Sequence, residues 1–233
     1  MAADLVDQLR GALAAAGDPG RAPDMQRYMK SAMPYYGVTA PTLRKVVRPL
    51  IAAHPLPDRA AWERCVRELW DAASHREERY AAIAVAGHRL YRGFQDPDTV
   101  AGLYRHLITT GAWWDLVDSV AAPLVGPILA AHPRGEGVRM REWAIADDLW
   151  LRRSAIICQL GAKGATDLAL LTDVIEANVE GTRFGREFFV RKAIGWALRQ
   201  HARTDPAWVA SFVADHEAVL SGLSKREALK HIT

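Results

Sequence analysis

The stretch Trp113-Trp114-Asp115-Leu116-Val117-Asp118 opens a run whose apolar residues continue at Val120, Leu124 and Leu129, a spacing that suits a helix and not a strand. Trp114 and Asp118 are four residues apart, so on that helix they share one face, a large ring beside a carboxylate. Two tryptophans next to two aspartates make a poor plain core. The stretch therefore predicts a face that binds something. Trp113 and Asp115 point roughly 100° or more away and suit packing and the helix start.

Working outward, the same periodicity runs almost from end to end. Leu5, Leu9 and Leu13 mark a first helix that stops at Gly17, residues 24–30 a second ended by Pro34, and Pro41 the first turn of a third that ends near His54-Pro55. Asp58 and Asp96 read as N-caps, the first of a helix through Trp62 and Trp70, the second of one that ends at Gly111. Between them residues 75–91 form an Ala-rich amphipathic helix. A break is expected at His132-Pro133 with Gly135 and Gly137, followed by helices over 138–146, 149–160, 165–179, 186–203 and 207–220 and a short one from Lys225. No alternating β-branched pattern competes, so the fold class is all-α.

Successive helix pairs repeat. Aligning the second helix of each pair puts Arg79, Asp118, Arg153 and Lys192 in one column at separations of 39, 35 and 39, close to the roughly 40-residue period of HEAT-like repeats. The expected architecture is a single domain over 1–233: less regular helices over 1–55, then repeats over 56–233 stacked into a curved right-handed solenoid with a concave binding groove.

The 233 residues are half hydrophobic, enough for a sizeable core, and Lys+Arg 30 against Asp+Glu 27 makes the chain mildly basic. Cys65 and Cys158 sit far apart in apolar helical patterns, which argues against a disulfide framework or a thiolate metal site. The eight histidines lack ligand spacing, and Gly161-Ala162-Lys163-Gly164 reads as a helix-ending turn. No metal and no cofactor are expected. With neither a leader pattern nor a run of about 18 uncharged apolar residues, a cytoplasmic protein off the membrane is expected, on the nucleoid if bacterial.

One column position is basic three times and acidic once, at Asp118. Arg79, Arg153 and Lys192, with Arg44, Lys45, Arg48, Arg152, Arg191 and Arg199, would track a phosphate backbone. Tyr28 lies between Arg27 and Lys30, Trp150 precedes Arg153 by three and Trp196 precedes Arg199 by three, so rings accompany the charges. Trp62, Trp70, Trp143, Trp150 and Trp208 read as packing between helices, while Trp114 and Trp196 each have a charged neighbour on their own face. Asp118 has two readings: an inter-helix salt bridge to Arg153 or Lys192, or a carboxylate that stabilises a cation developing in a reaction. Hydrolysis of the N-glycosidic bond of a purine alkylated on a ring nitrogen fits the second. The base already carries positive charge, the sugar becomes oxocarbenium-like, and one carboxylate can stabilise it and place the water. Arg153 nearby would keep Asp118 ionised.

The segments Arg27-Tyr28-Met29-Lys30, Trp113 to Ser119, Trp150-Leu151-Arg152-Arg153, Lys192 to Arg199 and Ser224-Lys225-Arg226-Glu227-Ala228 resemble the AlkD-type DNA alkylation repair proteins, in the same order and with similar spacing over nearly the whole chain. The resemblance implies a HEAT-like-repeat DNA glycosylase that excises cationic N3- and N7-alkylated purines from double-stranded DNA as a monomer, without extruding the base. It implies Asp118 as the catalytic carboxylate, Trp114 and Trp196 as contacts to the lesion's deoxyribose, Arg153 as an arginine of the same cleft, and Tyr28 and Arg199 as groove residues. A non-catalytic binder of damaged or branched DNA and a protein-binding HEAT scaffold stand as the alternatives.

Overall fold

In the computed structural model, which describes residues 2–232, every regular element among the described residues is helical. The helices gather into two compact units, one ending at Gln95 and the other beginning at Asp96.

The first unit holds α1 (Ala2–Ala15), α2 (Ala22–Met29), α3 (Ala40–Ala53), α4 (Arg59–Asp71), α5 (Arg76–Ala86) and a 3-10 turn at Arg89–Phe94. Leu5, Leu9 and Leu13 are fully buried, as their spacing requires. Asp58 Oδ1 accepts the backbone N–H of Ala61 at 2.7 Å, so the expected N-cap forms. Helix α4 packs on α5, with Trp62 and Trp70 fully buried. Helix α5 stops at Ala86, short of the expected Tyr91, because Gly87 interrupts it and the chain tightens into the 3-10 turn. The loop before α3 is tied to α5: the buried Glu77 carboxylate accepts the N–H groups of Tyr36, Gly37 and Val38 at 3.1, 2.9 and 2.9 Å. Gly37 has φ +89°, and a Cβ there would lie 2.1 Å from the Asp18 carbonyl oxygen, so only glycine fits.

The second unit holds α6 (Pro97–Thr99), α7 (Arg105–Gly111), α8 (Trp114–Val120), α9 (Gly126–Ala131), α10 (Pro133–Ile145), α11 (Leu149–Ile157), α12 (Leu168–Glu176), α13 (Phe188–His201), α14 (Pro206–Asp215) and α15 (Gly222–Ala228). Asp96 caps it as expected, accepting from Thr99 N–H at 3.0 Å. Two π turns make longer rods, Val100–Tyr104 joining α6 to α7 and Ala121–Val125 joining α8 to α9. Pro123 lies within the second. It would clash with the carbonyl four residues back in a plain α-helix, and the wider turn relieves that clash. The whole rod Trp114–Ala131 has the length and mean hydropathy, 1.3, of a membrane span. Its Asp115 and Asp118 break the apolar surface, and Leu116, Val117, Val120 and Val125 are fully buried inside the unit.

Helix α10 starts five residues earlier than expected. Pro133 occupies its first turn, where a missing N–H costs nothing, and the helix runs through Gly135 and Gly137. Helix α12 starts three residues later than expected, where the Asp167 side chain accepts the Leu170 N–H at 3.0 Å. Helices α8, α11, α13 and α15 then pack side by side in that order. The first three carry Asp118, Arg153 and Lys192 of the sequence column, and α15 adds a neighbour that the column did not include.

Candidate functional site

The site is assembled where α8, α11 and α13 meet. A Cβ on Gly126 would lie 2.4 Å from the Cys158 carbonyl oxygen, so only glycine lets the α8–α9 rod approach the end of α11 this closely. That approach brings two members of the sequence column together. Arg153 Nε donates to Asp118 Oδ1 and Nη2 to Oδ2, each at 2.7 Å, a bidentate pair, while Nη1 donates to the Phe189 carbonyl on α13 at 2.6 Å. The Arg153 side chain is 4 % exposed and that of Asp118 14 %. The arginine is thus spent inside the fold and the carboxylate keeps an edge to solvent.

Burial pushes the Asp118 carboxyl above its ordinary pKa, and the hydrogen bonds and charge of Arg153 pull against that shift. Arg153 thus acts in the expected direction, towards the charged form, but desolvation is the larger effect. Each carboxylate oxygen retains lone pairs beyond the one that Arg153 uses. Asp118 can therefore still accept a hydrogen bond from a water at its open edge.

The Arg153 guanidinium lies 6.0 Å from the centroid of the Phe189 ring. Trp114 lies one turn before Asp118 on α8 and is half-buried, neither core nor fully exposed. Trp113, Trp150 and Phe189 form a packed triangle with centroids 5.1 to 6.2 Å apart. This gives Trp113 the packing role expected of it, and Trp150 too. Trp62, Trp70 and Trp143 are buried core residues, as expected.

Trp196 is half-buried on α13, between Lys192 one turn before and Arg199 one turn after. Both cations hold one acid that sequence reasoning assigned no role, Glu227 of α15: Lys192 Nζ donates to its Oε1 at 2.7 Å and Arg199 Nη1 to its Oε2. Those hydrogen bonds and charges hold the Glu227 carboxyl below its ordinary pKa. The contact depends on Gly195, where a Cβ would lie 2.6 Å from the Glu227 Cβ, and on Ser224 Oγ donating to the Arg191 carbonyl at 2.9 Å.

The expected phosphate-contacting cations divide. Arg152 is 5 % exposed and donates to the carbonyls of Ala146 and Ile145 at 2.6 and 2.9 Å and to Asn178 Oδ1 at 3.2 Å. It locks the start of α11 to the ends of α10 and α12, so its reading as a DNA contact is withdrawn. Arg191 is half-buried, its Nε enclosed without a hydrogen-bond partner. In the first unit Arg44 and Lys45 are exposed on α3, and Tyr28 is 78 % exposed at the end of α2. Arg79 is half-buried, its guanidinium 4.9 Å from the centroid of the buried Trp70 ring, an attraction of the cation–π kind.

Among the described residues no group of three or more His, Cys, Asp or Glu side chains could hold a metal ion. A recess of about 410 Å³ lined by Gly126, Leu129, Pro133, Cys158 and Leu170 is mainly apolar and is not lined by Asp118 or Trp114.

The second unit thus presents a partly buried, arginine-held carboxylate on α8 and a half-buried tryptophan between two cations on α13. Residues 9–232 match the family described as DNA alkylation repair enzyme, and the chain belongs to that family. A solved structure from Enterococcus faecalis, described as a predicted DNA alkylation repair enzyme, is similar over 93 % of this chain and 97 % of that one, at 30 % identity and a TM-score of 0.80. No curated protein matches.

Proposed function

We propose that the protein is a DNA glycosylase that hydrolyses the N-glycosidic bond of cationic N3- and N7-alkylated purines in duplex DNA. The observation that carries this reading is the Asp118–Arg153 pair, a carboxylate fixed by two 2.7 Å hydrogen bonds and open along one edge. A fixed negative charge suits a reaction whose sugar gains positive charge as the bond breaks, because it needs no reorganisation at that moment. The alkylated base leaves without prior protonation, so the second carboxyl that ordinary glycoside hydrolysis uses as an acid is not required. Asp118 stabilises the sugar cation and orients the attacking water. Arg153 holds Asp118 and does not itself reach the substrate. Trp114 and Trp196 bear on the deoxyribose, and Lys192 and Arg199 on the backbone phosphates, with Tyr28, Arg44 and Lys45 as backbone contacts offered by the first unit. The lesion is met without extrusion of the base, by one copy of the chain, in the cytoplasm.

The test is direct: incubate the purified protein with methylated duplex DNA and identify the bases released. Release of 7-methylguanine or 3-methyladenine by the wild type is expected. Tight binding of the same DNA with no base released would favour a non-catalytic DNA binder instead.

A further inference from the structure

Glu227 carries no role in the glycosylase reading, yet it is bound by both cations on either side of Trp196 along α13. Its two oxygens face the two cations that flank that tryptophan, one from Lys192 and one from Arg199. Its side chain is 16 % exposed, against 41 % for Lys192 and 24 % for Arg199, so all three groups sit at the surface and within reach of an incoming ligand. Two cations held to a pair of oxygens on one anionic group present the donor arrangement that a backbone phosphate would meet. The acid is delivered from a different helix, and its approach requires Gly195 to lack a side chain.

We propose that Glu227 is a built-in stand-in for a DNA phosphate, occupying the Lys192–Arg199 anion site in the DNA-free protein and giving it up when duplex DNA binds. This rests on the reading that Lys192 and Arg199 contact the backbone, but not on any glycosylase activity. Its consequence is a brake on affinity. Each cation must leave a carboxylate before it meets a phosphate, so part of the gain from counterion release is offset for all DNA, damaged or not. A repair protein that must leave undamaged duplex quickly benefits from such a brake.

The experiment measures binding of undamaged duplex at several salt concentrations for the wild type, Glu227→Gln and Glu142→Gln. Glu142 is an exposed acid on α10 and controls for loss of one negative charge at a distance. With both cations freed, Glu227→Gln is expected to bind about tenfold tighter near physiological salt, its log–log salt slope steeper by about 1 to 2. Glu142→Gln should change little. In a Lys192→Gln/Arg199→Gln background the Glu227→Gln gain should shrink to that of the control. Equal gains from the two acids, an undiminished gain in that background, or weaker binding by a folded Glu227→Gln would each overturn the proposal. Should Glu227→Gln fail to fold, Glu227→Asp keeps the charge but is too short to span both cations. It should then bind more tightly than wild type, and an unchanged affinity counts against the idea. Base release from methylated DNA, run in parallel, separates the two readings: tighter binding without any release by the wild type sinks the glycosylase and leaves the brake standing.

Discussion

Replacing Asp118 by asparagine keeps the side chain's size and removes its charge. Set the carboxylate about 4 Å from the anomeric carbon at an effective dielectric of about 20, and it attracts a developing unit charge by about 4 kcal/mol. Arg153 lies on the far side of the carboxylate, its nitrogens 2.7 Å from the same oxygens. At about 6.5 Å from the sugar it repels the cation by about 2.5 kcal/mol. The pair as a whole thus stabilises the transition state by only about 1.5 kcal/mol, the difference of those two figures. Asp118→Asn leaves the repulsion in place, so its loss is the full 4 kcal/mol or so, nearly a thousandfold in rate. The double variant Asp118→Asn/Arg153→Gln removes both charges and should lose only about tenfold relative to wild type. A second mutation is thus expected to restore nearly two orders of magnitude to the first. The assay is single-turnover release of 7-methylguanine at saturating protein, with duplex affinity measured separately and expected to be unchanged or tighter for Asp118→Asn. Unchanged release by the single variant refutes the assignment of Asp118, and a double variant as slow as the single refutes the charge arithmetic.

The proposed reaction needs Asp118 as the carboxylate, and burial raises its pKa, so release should decline as pH falls and the decline should begin nearer neutrality than for an exposed aspartate. Arg153→Gln, lacking the opposing cation, should move that limb of the pH–rate profile further up. Trp114→Ala and Trp196→Ala should slow release at least tenfold while the folded state persists in circular dichroism, since both rings are half-buried; unfolding of either would point to a packing role. Gly195→Ala should cost about 1–3 kcal/mol in denaturant unfolding, because its Cβ would meet the Glu227 Cβ at 2.6 Å and push α15 off α13.

What could be read ahead of the structure followed physical range. Apolar spacing and N-caps act over three or four residues, so α1, the Asp58 and Asp96 caps and the burial of Trp62 and Trp70 were legible. The column placing Asp118 with Arg153 was legible too, because a repeat converts distance along the chain into adjacency. Arg152 and Arg153 show where such reading ends. They are neighbours on one helix, yet one holds the ends of two helices and the other holds Asp118, a difference set by what packs about 100° around the helix. Glu227 was equally hidden, since its partners lie 35 and 28 residues away and no local pattern marks the approach.

The π turn at Ala121–Val125 gives Asp118 a second dependence. Each residue of an α-helix advances the side chains by about 100°, so the turn sets the angular offset between the Trp114–Asp118 face and Gly126, the point where the rod is pinned against Cys158. Deleting one residue within it would straighten the rod and swing either the carboxylate away from Arg153 or the glycine away from α11. A change in the length of this helix therefore disturbs a relation that no single side chain along it sets. Among related sequences, the spacing from the aspartate to that glycine is the quantity to watch.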